Sequence, residues 1–376
     1  VYFARKANKC LSFVDSAVAA GAGIDVASEQ ECRQVLDRGL SGDEVICTAA
    51  IKTERLIRRC VQNSITMAID NFDEFDRVVE IAHDSGHQPV LAIRVSGFQH
   101  DGEKLWSRFG FDVDDIPALT EYLSRNQHEF LKIAGLHFHL DGYCPRQRMS
   151  AIRQCLPIID ALRSQGQPLR FLDMGGGIPM CYLTSETQWQ DFWRTHRESL
   201  LGKREPITYR NHGLGLVAHD GEVSGRRNVY PFYQRLIQNQ WLAMILDAQA
   251  DETGSKNWTL ADALRHRDLQ LRCEPGRSVL DGCGLTVAKV EFTKQNRCGD
   301  WFIGLAMNHT QCRTSSDDFL VDPILLRSDA PACGDEWRTP GTGYLVGTYC
   351  TESDLLSLRK LQFPPGVTAG ALVVFP

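Results

Sequence analysis

Eight short β-prone runs recur along the first three quarters of the chain, and stretches of helical periodicity separate them. The runs are VYFAR (1–5), GIDVAS (23–28), EVICTA (44–49), TMAID (66–70), LAIRV (91–95), IAGLHFH (133–139), LRFLDMG (169–175) and LQLRCE (269–274). In the stretch NFDEFDRVVEIAH (71–83), Phe75, Val78, Val79 and Ala82 fall on one face at helical spacing. Eight strands alternating with helices meet the requirement of a (β/α)8 TIM-like barrel. An open doubly wound sheet is the competing α/β arrangement, but no GxGxxG run follows a strand at the start of a helix.

Two features complicate a plain barrel. The seventh connection runs from Pro179 to about Asp268 and holds the aromatic-rich NVYPFYQRLIQNQW (228–241). A connection of that length is expected to be a lid, an interface arm or a specificity loop. After Arg277 the period changes to two, in LTVAKVEF (285–292), WFIGLAMN (301–308), DDFLVDPILL (317–326), GYLVGTYC (343–350) and ALVVFP (371–376). The expected organisation is a barrel over 1–275 with an insertion at about 180–268, followed by an all-β domain over 276–376. At 376 residues the chain is long enough for both. It starts at Val1, and both ends fall inside strand-like runs, so a longer parent chain is expected.

Composition narrows the partners. A net charge of −6 with no basic block argues against nucleic acid, and no apolar run reaches the ~18 residues of a membrane span. Thirteen cysteines are scattered without a CxxC pair, a pattern of reduced thiols that points to the cytoplasm. No metal is expected.

In a barrel the chemistry sits at the C-terminal ends of the strands. Those ends carry Lys6, Asp25, His139, the run Gly175-Gly176-Gly177, and Glu274 and Arg277 in CEPGRSV. Consecutive glycines let backbone N–H groups close on an anion, and Arg277 could add a charge-assisted bond to the same phosphate. An amine, an aromatic histidine, a carboxylate and a phosphate cradle together describe a pocket for pyridoxal 5′-phosphate. Most lysines are solvated charges and a lone histidine is often a satisfied core residue, so only the ordered set gives Lys6 and His139 a chemical role.

The motifs resemble those of the fold-type III pyridoxal phosphate enzymes, whose members share an alanine racemase-like barrel and a β-domain. FARKAN resembles their YxxKAN lysine strand, GIDVASEQE their GxDxAS, HFHLDG their HxHxGS, DMGGGIP their D-x-GGG and CEPGRSVL their EPGR. VGTYCTESD (346–354) is similar to the GPxCxSxD box of the β-domain, and SRFGF (107–111) to the SKFG segment of diaminopimelate decarboxylases. The matches fall in family order over nearly the whole chain and point to the ornithine/diaminopimelate decarboxylase group.

That resemblance implies covalent attachment of the cofactor at Lys6 and ring stacking by His139. It implies a phosphate site made by Gly175, Gly176, Gly177, Gly276 and Arg277, with Asp25 orienting the ring from behind. Glu274 would keep the pyridine nitrogen protonated, which favours loss of carbon dioxide; alanine racemases place an arginine there instead. Cys350 would return a proton to Cα, and Asp354 would meet the substrate. The family also implies a homodimer whose sites are shared between subunits, acting on a small amino acid. Two departures concern substrate. Asp141 and Gly142 stand where Gly and Ser are usual, and Asp322-Pro323-Ile324-Leu325-Leu326 lacks the Arg and Tyr of the RPxLY segment that helps hold substrate carboxylates. Diaminopimelate is therefore a doubtful substrate, and Asp322 would repel its distal carboxylate. The competing readings are a racemase or epimerase on the same cofactor and a pyridoxal phosphate-binding homologue without decarboxylase activity.

Overall fold

The computed structural model describes residues 1–125, 131–251, 258–312, 317–326 and 339–376. They form two compact units, Val1–Pro179 with Leu236–Val279, and Met180–Arg235 with Leu280–Pro376.

The first unit is built on eight parallel strands: β1 (Tyr2–Ala4), β2 (Gly23–Val26), β3 (Val45–Cys47), β4 (Thr66–Ile69), β5 (Val90–Ser96), β6 (Lys132–His137), β7 (Phe171–Asp173) and β8 (Gln270–Arg272). They pair in sequence order, with registers such as Ala4↔Asp25 and Asp173↔Arg272. Two backbone hydrogen bonds nearly close the ring: Tyr2 N–H donates to Cys273 O and Ala4 N–H to Pro275 O, both at 2.9 Å. All eight strands expected from the sequence are present, but most are shorter at their C-terminal ends. The trimmed residues have left the ladder. Arg5–Ala7 form a 3-10 turn, and His139, Gly175 and Glu274 lie beyond the last paired residue of their strands.

The strand interiors are mostly apolar because both faces are covered. Ile24, Ile46, Met67, Ile93, Leu136 and Leu172 are all fully buried. The crossover helices start on side-chain caps: Ser28 accepts from Glu31 N–H, Thr53 from Leu56 N–H and Asn71 from Glu74 N–H. The helix Glu54–Gln62 buries Leu56, Ile57, Cys60 and Val61 on one side, and truncating such a buried leucine or isoleucine to alanine costs about 2–5 kcal/mol.

The second unit carries a six-stranded sheet. Its strands are β9 (Thr286–Gln295), β10 (Trp301–Leu305), β11 (Ile324–Leu326), β12 (Thr342–Val346), β13 (Leu361–Gln362) and β14 (Leu372–Phe375), in spatial order β11-β14-β9-β10-β12-β13. Period-two alternation is visible on β9, where Ala288 and Val290 point inward and Lys289 and Glu291 outward. The run 317–326 forms a strand only over Ile324–Leu326; upstream, the Asp318 carboxylate accepts from Arg359 N–H.

The long connection divides between the two units, unlike the expected single insertion in a 1–275 barrel. Met180–Arg235 joins the sheet-bearing unit, where Tyr209 N–H donates to Leu358 O and Lys360 N–H to Ile207 O. Its helix Glu186–Leu200 buries Trp189, Trp193 and His196. The remainder belongs to the barrel as helices Gln238–Leu246 and Leu260–His266, with Trp241, Ile245, Leu260 and Leu264 buried. The aromatic stretch 228–241 thus spans the division between the units.

Candidate active site

The three cations of the stretch FARKANK (3–9), Arg5, Lys6 and Lys9, have three different environments. Arg5 is buried and donates to Asn8 O, Lys9 O and Gln34 Oε1, which ties the turn together. Lys9 pairs with Glu31. Lys6 points its Nζ at Asp25 Oδ2, 3.1 Å away, with its side chain 47% exposed and Asp25 wholly buried. Burial alone would lower the pKa of Lys6, but Asp25 and Glu274 outweigh it and hold the ammonium above its ordinary range. Thr48 Oγ1 donates to the other oxygen of Asp25 at 2.5 Å, so that carboxylate is fixed on both sides.

Across the barrel mouth, Gly175 and Gly177 adopt φ of +67° and +79°, where any side chain is strained. Space excludes one as well. A Cβ at Gly175 would lie 2.6 Å from His139 Nδ1, and one at Gly176 2.8 Å from Glu274 O. Two of the three N–H groups of the run are taken by protein. Gly175 N–H donates to Asp173 Oδ1 at 2.9 Å and Gly176 N–H to His139 Nδ1 at 3.1 Å. Only Gly177 N–H bonds to no protein group among the described residues, so the loop has less backbone to offer an anion than three consecutive glycines suggest. Gly276 is held close by Ala7, whose Cβ would be 2.8 Å from an added Cβ. Arg277 lies exposed at the start of the turn after β8, near enough to Tyr143 to act on its ionisation.

Beneath the mouth sits a buried acid–base cluster. His137 Nε2 is 3.2 Å from Glu274 Oε1, yet neither atom has a hydrogen-bond partner among the described residues. Burial, reinforced by Asp25, pushes the pKa of Glu274 well up, and burial pulls His137 down to about 4. Asp173 is raised to about 7, by burial first and Glu274 second. The three ligand atoms of His137, Asp173 and Glu274 lie within 4.8 Å of one another, close enough for a metal ion as well as for shared protons. His139 remains open to solvent, but the surrounding protein displaces much of its water. That desolvation and the cations Lys6, Arg94 and Arg148 lower it to about 3. Its Nδ1 accepts from Gly176, so the neutral ring carries its proton on Nε2.

These residues fit the cofactor. Glu274 Oε1 is a buried carboxyl oxygen without a partner, which a protonated ring nitrogen would satisfy. The glycine loop keeps clear a space that any side chain would fill, and the amine of Lys6 is reachable from solvent.

The β-domain residues are placed differently. Cys350 is exposed. Asp354 is buried and its carboxylate is spent locally: Oδ1 accepts from His309 N–H at 3.0 Å and lies 2.8 Å from His309 Nδ1, and Oδ2 accepts from Tyr349 N–H at 2.7 Å. Those bonds overcome burial and hold it below its ordinary pKa. In this form Asp354 braces the 346–354 box rather than presenting a charge. Asp322 pairs with Arg359 Nη1 at 2.7 Å, so the repulsion expected of it is largely neutralised.

Sequence reasoning left out Thr48, Arg94, His137, Asp173 and Arg148. His137 and Asp173 lie inside motifs already recognised, and Arg94 is a buried charge near the end of β5, so strand-end position was an available signal. Arg148 lies within a helix and gave none.

The chain is similar to several known proteins. Residues 1–206 match the family model of the pyridoxal-dependent decarboxylases, pyridoxal binding domain. An uncharacterized protein, y4yA, of Sinorhizobium fredii (strain NBRC 101917 / NGR234) is 29% identical over the whole of this chain and 75% of its own length. Diaminopimelate decarboxylase of Pseudomonas aeruginosa is 24% identical over 86% of this chain and 81% of its own. Among solved structures, the Paramecium bursaria Chlorella virus arginine decarboxylase bound to agmatine superimposes with a TM-score of 0.67 at 16% identity, covering 100% of this chain and 83% of that one. The chain belongs to the pyridoxal-dependent decarboxylase family, in the fold-type III group, and its cofactor is pyridoxal 5′-phosphate.

Proposed function

We propose that this protein decarboxylates a small amino acid other than diaminopimelate. The observation that carries the reading is Glu274: a buried carboxyl just beyond the end of β8, its pKa raised by burial, with one oxygen that has no hydrogen-bond partner among the described residues. The cofactor, when bound, supplies an electron sink for the pair left behind as carbon dioxide departs. Around it the chain's residues divide the work. Lys6 is the point of covalent attachment, and its neighbour Asp25 holds the amine in place through a 3.1 Å contact. Glu274 keeps a proton at the ring nitrogen, which deepens the sink; an arginine there would not. His139, neutral, offers its flat face to the ring. Gly177, Gly276 and Arg277 take the phosphate.

The same proposal makes the protein a cytoplasmic homodimer with shared sites, in which Cys350 of each chain returns the proton at Cα on its neighbour. A two-fold axis would make that exchange reciprocal. The missing arginine and tyrosine of the 322–326 segment support a basic substrate, or one with no distal carboxylate.

Purified holoprotein should be offered a panel of amino acids, including lysine, ornithine, arginine and diaminopimelate, with carbon dioxide release and optical activity followed together. Release from a member other than diaminopimelate is expected. Loss of optical activity without carbon dioxide would identify a racemase, and robust turnover of diaminopimelate would overturn the substrate assignment.

A further inference from the structure

Arg148 is wholly buried in the helix Pro145–Ser164, and among the described residues no carboxylate pairs with it. Its guanidinium is held by carbonyls alone. Nη2 donates to Gly142 O at 2.8 Å and Gly176 O at 3.3 Å, and Nη1 reaches Cys144 O at 3.4 Å. Three of its five N–H donors are thus engaged, and Nε is buried with no partner among the described residues. Trp241 lies against the group, its ring centroid 5.0 Å from Cζ, and anchors itself through Nε1–H to Tyr143 O at 2.8 Å. Burial lowers the pKa only to about 10, so the side chain keeps its charge at neutral pH.

A buried cation without a counter-anion is a costly arrangement unless an anion completes it. The position says which anion. A Cβ at Gly177 would lie 2.3 Å from Arg148 Nη2, so the guanidinium fills the side-chain space of the one glycine in the loop whose N–H bonds to no protein group. The loop also lacks a hydroxyl that its relatives' motif has, because Gly142 stands in the serine position of HxHxGS, and it is Gly142 O that Arg148 holds. Its field already reaches the mouth of the barrel, where it helps to depress His139.

We propose that Arg148 is the internal counter-charge of the cofactor phosphate, offsetting from behind the glycine loop the hydroxyl absent at Gly142. The inference rests on the reading of Gly175–Gly177 as the phosphate cradle. A purely structural arginine would hold the 142–144 and 175–177 loops together and be indifferent to whether a phosphate is present.

Equilibrium binding of pyridoxal phosphate and of pyridoxal, which lacks the phosphate, separates these roles without any turnover. Wild-type protein should prefer the phosphorylated form. Arg148→Met should weaken pyridoxal phosphate by about 10- to 100-fold, the range of one to two charge-assisted bonds, and leave pyridoxal within about twofold. Arg148→Lys guards against misfolding of the methionine variant and should restore part of the preference through its charge. Equal weakening of both ligands in either variant would overturn the proposal in favour of a structural role. So would an unchanged preference in Arg148→Met. Absence of any preference in the wild type would instead remove the cradle reading, and this inference with it.

Discussion

Replacing Asp25 by asparagine should change when Lys6 can capture its cofactor. Capture needs the neutral amine, and the Asp25 carboxylate 3.1 Å from Nζ stabilises the ammonium. Two unit charges at that distance interact by about 1.3 kcal/mol in water and about 5 kcal/mol at an effective dielectric of 20. Lys6 is half exposed, so the lower part of that range applies, roughly 1.5–3 kcal/mol, or about one to two pKa units. Asparagine is nearly isosteric and can still accept from Thr48, so the perturbation is chiefly electrostatic. The assay follows the absorption band of lysine-bound cofactor after mixing apoprotein with pyridoxal phosphate across a pH series. Wild-type capture should speed up as pH rises toward a high inflection, and Asp25→Asn should move that inflection down by one to two units, with capture at neutral pH about tenfold faster or more. The sign for stability follows from the raised pKa of Lys6. The pair's contribution is fully present below the unfolded lysine value and is lost as pH rises through the folded one. An unmoved inflection, or one moved upward, would show that Asp25 does not govern the amine.

Borohydride reduction of the holoprotein followed by peptide mapping should label residue 6, and Lys6→Ala should carry no label; a label on another lysine would move the attachment site. Gly175→Ala should lose about 1–2 kcal/mol from its left-handed φ alone, seen as a fall in Tm of several degrees, with more lost to the collision with Phe138 O and His139; unchanged thermal unfolding would refute the crowding. Glu274→Gln should abolish carbon dioxide release while Lys6 is still labelled, and full activity would remove Glu274 from the chemistry. Mixing Lys6→Ala with Cys350→Ala, each inactive alone, should restore one working site per mixed dimer, and no recovery despite demonstrated subunit exchange would mean that each chain completes its own site.

The barrel was readable because both of its periodicities are clean: strands such as GIDV and TMAI are short, buried and mostly apolar, and the helices between them open on Ser28, Thr53 and Asn71. Strand ends were overextended because the same residues that look β-prone, among them Phe138 and Met174, bond outside the regular ladder to Asp173 O and Arg272 O. Lys6, Asp25, Glu274 and the glycines were legible as strand-end residues in ordered motifs. Arg148 was not, since a cation within a helix ordinarily faces solvent and only tertiary packing turns this one inward. Asp354 was read as an available carboxylate because a sequence does not display His309, which lies 45 residues away in the chain and occupies it. The 180–268 stretch carried no period strong enough to divide it, and long-range backbone bonds such as Tyr209 N–H to Leu358 O assign its first part to the sheet.

The seam of the barrel joins Tyr2 to Cys273 and Ala4 to Pro275. Closing a loop of that length costs about 5 kcal/mol of chain entropy, and no local contact can substitute for it. At about 5–20 residues per second, a ribosome needs some tens of seconds at most to get from β1 to β8, and throughout that time the lysine strand has one edge open. Lys6 sits two residues beyond that edge, and Glu274 arrives with the last strand. On the proposed roles of Lys6 and Glu274, free cofactor should therefore meet no complete site on the nascent chain, and loading becomes a post-translational event that reports a finished barrel.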